Sequence, residues 1–141
     1  MKKRIIKQMV KTFELIELGY DFMGYTFEEK RDLSFHHLII PKEICKNLHL
    51  GSGQEEWNGA ILNRKTSHAY LHLIERMEPD LFYTITSELI DENALRSLQI
   101  ESLVRIRRLL LIFELEHGKD IRPTGEPYIK PEYIEKRIPL L

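Results

Sequence analysis

Four of the six histidines in this 141-residue chain fall in two short stretches. His36 and His37 close the apolar run Leu33-Ser34-Phe35, and His68 and His72 sit four residues apart in His68-Ala69-Tyr70-Leu71-His72. The first stretch reads as a strand over Leu33–Ile40, because it is apolar and β-branched and is stopped by Pro41. The second reads as a helix from near His68 to just before Pro79, capped by Thr66 or Ser67. A histidine pair on an extended segment and a second pair on a helix can together hold one divalent ion beside one imidazole that accepts a proton.

Periodicity divides the roles. Residues four apart share a helix face, so His68 and His72 point the same way and can grip one ion. Glu75 shares that face, while Tyr70, Leu71, Ile74 and Met77 fall on the other side at about 100° per residue. Glu75 reads first as an exposed helix glutamate paired with a neighbour, and second as support for a ligand. On a strand, successive side chains point to opposite faces. His36 and His37 therefore cannot both ligate one ion from a straight strand. One can serve the metal and the other can act on a water, since an ordinary imidazole titrates near working pH.

The remaining elements follow from spacing. Ile5, Ile6, Met9, Val10, Phe13 and Ile16 recur at helical intervals, which predicts a helix over about 4–18 stopped by Gly19. Residues 19–32 are aromatic and irregular. Lys42 to Leu50 predicts a short helix or turn, Asn58-Gly59 a tight turn, and Ala60-Ile61-Leu62 a second strand. Residues 80–90 read as a helix. Asp91 is expected to cap a long helix carrying Leu95, Leu98, Leu103, Val104, Ile106, Leu110 and Phe113, closed by Gly118. The expected fold class is α+β and mostly helical. Residues 1–120 form one domain, and 121–141, with four prolines, form an extended tail on the domain or a partner, or a disordered one. Trp57 is expected to pack in the core or hairpin, and His49 and His117 to lie on the surface.

Bulk composition narrows the class. A single cysteine, Cys45, excludes an internal disulfide and any zinc knuckle built on several thiolates. The chain carries 21 basic and 22 acidic residues, so a polyanion can be met only by a local basic patch. No stretch is long and apolar enough to span a membrane, and no leader is evident. A reducing cytoplasm is the expected compartment.

The segments Leu33-Ser34-Phe35-His36-His37-Leu38-Ile39-Ile40-Pro41, Trp57-Asn58-Gly59-Ala60-Ile61-Leu62 and Ser67-His68-Ala69-Tyr70-Leu71-His72 resemble the core of an HNH endonuclease, the ββα-metal fold. The resemblance covers about residues 32–78, a third of the chain, and looks like the histidine-rich version found in colicin-type DNases. It implies metal ligation by His36, His68 and His72. It implies His37 as the general base, with Asn58 helping to fix base or metal and Asn63 as the fallback for that place. It implies one divalent ion (zinc, magnesium, manganese or nickel), the histidine ligands favouring one softer than magnesium. The substrate it implies is DNA, with RNA left open.

Arg64, Lys65 and Lys42 flank the site and are the candidates for gripping a phosphate backbone. Arg105, Arg107 and Arg108 read rather as the solvated face of an amphipathic helix. The long helix or the tail could bind a protein partner, and the helix could pair with its own copy. The competing reading is a non-catalytic module of the same fold, stabilised by zinc and serving interaction or regulation.

Overall fold

A computed structural model describes residues 2–49, 51 and 53–121. The chain is mostly helical with one two-stranded antiparallel sheet. Helix α1 (Lys2–Thr12) is followed by a single turn, α2 (Leu15–Leu18). The expected continuous helix is broken at Glu14, which takes a left-handed φ of 56°. The break lets Phe13 and Leu15, both buried, face the core together, and it leaves Ile16 exposed. Gly19 closes α2 at φ 80°, a conformation that suits a residue without Cβ.

Strand β1 (Leu33–His37) pairs with β2 (Gly59–Asn63), with His37 opposite Gly59 and Leu33 opposite Asn63. β1 ends three residues earlier than its apolar pattern suggests. The N–H groups of Ile39 and Ile40 donate to the Asn58 side chain, at 2.9 and 2.8 Å, and leave the ladder. Helix α3 (Lys42–Asn47) lies in the long excursion between the strands. Asn58-Gly59 is therefore not a hairpin turn. Asn58 ends a 3-10 turn, Glu56–Asn58, that delivers the chain into β2.

A π-helical turn, Arg64–His68, leads directly into α4 (Ala69–Met77). Neither Thr66 nor Ser67 caps it: Asn63 Oδ1 accepts from Lys65 N at 3.0 Å instead. Ser67 is turned inward and donates to Asp21. Helix α5 (Pro79–Leu95) runs through Asp91, so Asp91 is not a cap. Leu89 and Glu92 continue its buried face, and the chain reverses at Arg96 (φ 55°), whose N–H and that of Ser97 satisfy the Asn93 and Glu92 carbonyls. Helix α6 (Ile100–His117) starts only after Gln99, so Leu95 belongs to α5 and Leu98 to the connection, and it ends at Gly118, as the sequence suggests.

One core joins these elements. Met9 of α1, Phe13 just after it, Ile61 and Leu62 of β2, Leu71 and Ile74 of α4, Ile85 of α5 and Leu110 and Phe113 of α6 are buried in a single cluster. Burying α4 on its Tyr70, Leu71 and Ile74 side leaves its histidine side toward β1. Met77 is an exception, at 41% exposed. Trp57 is half exposed rather than packed in the core. No helix among the described residues is long and apolar enough to cross a membrane. The proline-rich stretch from Arg122 onward lies outside the described residues.

Candidate metal centre

The core fixes α4 against β1, and this brings three imidazoles together. The ring centroids of His36 and His68 are 5.1 Å apart, those of His36 and His72 5.2 Å, and those of His68 and His72 4.9 Å. One nitrogen from each lies within 4.8 Å of the others. His36 Nδ1 and His68 Nε2 approach to 3.3 Å. Two nitrogens bonded to one tetrahedral zinc at 2.0–2.1 Å stand about 3.3–3.4 Å apart, so this edge already has the length a metal requires.

Neighbouring groups set the tautomers. Ser34 Oγ donates its single proton to the Leu62 carbonyl at 3.1 Å. The same oxygen lies 2.6 Å from His68 Nδ1 and must there accept. His68 therefore carries its proton on Nδ1 and presents a bare lone pair from Nε2. His72 Nδ1 lies 3.2 Å from Glu75 Oε1 and donates to it, leaving its own Nε2 free to ligate. His36 is buried against Phe82, its Nε2 has no hydrogen-bond partner, and its Nδ1 faces His68. This donor set fits a divalent ion that accepts imidazole nitrogen.

Burial and neighbouring charge keep His36 and His68 neutral. Burial, reinforced by His68, His72 and His37, lowers the His36 pKa to about 3. Burial, then His72, Arg64 and His37, lowers that of His68 to about 4. Neutral rings are the form that binds metal.

His37 lies on the other face of β1, half-buried, with its ring edge-on to Phe35 at 5.0 Å and 80°. It lines the same broad cleft as the three clustered histidines, of about 1910 Å³. Its place depends on absent side chains. A Cβ on Gly59 would strike the Phe35 ring, and one on Gly53 (φ 70°) would strike Cys45 Sγ and crowd His37. Asn58 sits behind the cleft. Its amide accepts from Ile39 N and Ile40 N and donates to the Ile40 and Gly53 carbonyls, each at 2.8–3.0 Å. Three of these bonds hold the backbone just after His37 and the fourth ties it to Gly53. Asn63 instead ties the start of the π turn to Thr26.

Arg64, Lys65 and Lys42 all line the cleft and are exposed. Arg64 is steadied by a bond to the Arg31 carbonyl at 2.9 Å, and Lys65 lies 3.9 Å from Asp32. Arg105 and Arg107 are committed to Glu88 and Glu114, and His117 to Glu78. His49 is exposed.

Two supporting residues escaped the sequence reading. Ser34 had a usable signal, since alternation puts it on the same strand face as His36. Asp21 had none. It is fully buried and accepts from Met23 N, Tyr25 N, Asn63 N and the Ser67 hydroxyl, joining the loop after α2 to the junction that launches α4. No family model, curated protein or solved structure matches this chain.

Proposed function

We propose that β1, β2 and α4 form a ββα-metal core and that the chain is a metal-dependent endonuclease of the HNH type, hydrolysing DNA phosphodiester bonds. The observation that carries this reading is the convergence of His36, His68 and His72 on one point, with a fourth imidazole, His37, in the same cleft but on the opposite strand face. His36, His68 and His72 are the ligands. An ion held there supplies positive charge to the scissile phosphate and the leaving oxygen. Lys42, Arg64 and Lys65 hold the phosphate backbone along the cleft. His37 takes a proton from the attacking water as that water's oxygen bonds to phosphorus and the bond to the leaving oxygen breaks. Asn58 is a positioning residue, fixing the chain that follows His37.

The rival reading, a non-catalytic zinc-stabilised module, calls for a closed site with four protein ligands. Among the described residues no fourth histidine, cysteine or carboxylate joins the three. That leaves room for water or substrate and favours catalysis. The decisive comparison is nicking of supercoiled plasmid across a panel of divalent ions. His37→Ala is expected to bind metal as the unaltered chain does and to lose cleavage by 100-fold or more, about the contribution of a general base. Plasmid nicking by His37→Ala at the original rate would defeat the assignment.

A further inference from the structure

The wall of the cleft beside the metal cluster is built by α5, an element outside the β1–β2–α4 unit. Three of its residues line that wall: Phe82, Tyr83 and Thr86. Phe82 is buried and stands edge-on to His36, with ring centroids 6.3 Å apart. Tyr83 follows it at 5.5 Å and is 67% exposed, one ring removed from the proposed ligands. Thr86 is 6% exposed, yet its hydroxyl has no hydrogen-bond partner.

The Thr86 hydroxyl is itself closed to the cleft, so the ligand-facing group on this wall is Tyr83. A large aromatic left two-thirds in solvent forgoes most of the burial that would stabilise it. A planar ligand lying on the tyrosine face relieves that deficit, and the exposed Lys42, Arg64 and Lys65 in the same cleft favour one carried on an anionic chain. A nucleobase on its phosphate backbone has that shape and charge. A base inside an intact duplex has its faces covered by its neighbours, so only an unpaired base can use the platform.

We infer that Tyr83 forms a base-binding subsite on α5 that stacks an unpaired nucleotide next to the metal cluster. This rests on the nuclease reading and adds to it a preference for single-stranded or locally opened nucleic acid. Lys42, Arg64 and Lys65 grip the sugar-phosphate chain without regard to pairing, whereas α5 supplies the discrimination.

The test measures binding of a fluorescent single-stranded oligonucleotide and of its duplex to the full-length chain, by anisotropy in EDTA so that nothing is cut. Metal affinity is measured separately. Tyr83→Ala is expected to weaken single-strand binding by about ten-fold, the scale of one lost aromatic–base stack. It should leave duplex and metal binding unchanged, and Tyr83→Phe should restore the single strand because the ring is kept. Unaltered single-strand binding by Tyr83→Ala overturns the subsite. So does parallel loss of metal affinity, which would make Tyr83 a structural support for Phe82. A chain that cuts duplex but does not bind single strands retains the nuclease reading and loses this one. A chain that binds neither form loses both.

Discussion

Ser34 shows how much one hydroxyl can decide. Its proton goes to Leu62, so it can only accept from His68, and that fixes which nitrogen of His68 is bare. Ser34→Ala should leave the fold intact and weaken metal binding by about 10–100-fold, the usual effect of removing a group that orients a ligand. Competition with a chelating dye measures this directly. His36 and His68 also predict how the metal-free protein responds to acid. Their folded pKa values, about 3 and about 4, lie below the ordinary 6.5. As pH falls below 6.5 the unfolded chain takes up protons at both positions while the folded chain does not. The stability they contribute is therefore complete above 6.5 and is lost as pH falls toward 4. Asp21 acts in the opposite sense. Burial raises its pKa from 3.8 to about 6, so the folded chain keeps a proton that the unfolded chain releases, and that contribution is lost as pH rises through 6. Glu92, buried and with its pKa likewise raised by burial, acts in the same sense as Asp21. The histidine part is therefore read by difference: in EDTA the urea midpoint of the unaltered chain, taken relative to that of His36→Gln, should fall between pH 7.5 and pH 5, and a difference that stays constant or rises would contradict the assignment.

At the scale of elements, the site is a matter of how α4 is aimed. The π turn before it would be a weak guide alone. Asp21 binds both of its flanks, Asn63 on β2 and Ser67 just ahead of His68, from a loop more than forty residues earlier in the chain. Asp21→Ala leaves four donors with their acceptor gone in a site closed to water. Destabilisation of more than about 3 kcal/mol is expected, because each buried donor left unpaired costs about 1–3 kcal/mol. Urea unfolding of the metal-free protein reads this without reference to activity. Elements were unevenly legible in the sequence. Both strands, the metal helix and its apolar face followed from local pattern. The break at Glu14, the early end of β1 and the passage of α5 through Asp91 did not. Each depends on a distant partner. Phe13 and Leu15 turn to reach one core, Asn58 takes the amides of Ile39 and Ile40, and the buried face of α5 runs on past Asp91. A capping residue such as Asp91 states a local preference of about 1 kcal/mol, which burial of one further helical turn exceeds.

For the whole molecule, an ion held by the three histidines would be coupled to folding, because they meet only when β1 and α4 are docked. Saturating zinc at about 100 times its dissociation constant adds about 2.7 kcal/mol to stability. For a domain of this size that raises the melting temperature by roughly 5–10 °C. The shift should disappear on chelation and be absent in His36→Ala. A melting curve indifferent to every divalent ion would show that the three imidazoles bind no ion tightly.

The sequence by itself determined which histidines share a face. Alternation along a strand and the four-residue repeat of a helix put His68 and His72 together and His36 and His37 on opposite faces, while the proposed roles within the doublet rest on the resemblance. Their convergence, the tautomers imposed by Ser34 and Glu75, the anchoring of α4 by Asp21 and the wall that α5 builds beside the cluster were decided only by tertiary structure. Spacing acts over a few residues, whereas these contacts join segments far apart in the chain. Such contacts form only where a shared core fixes distance and direction at once.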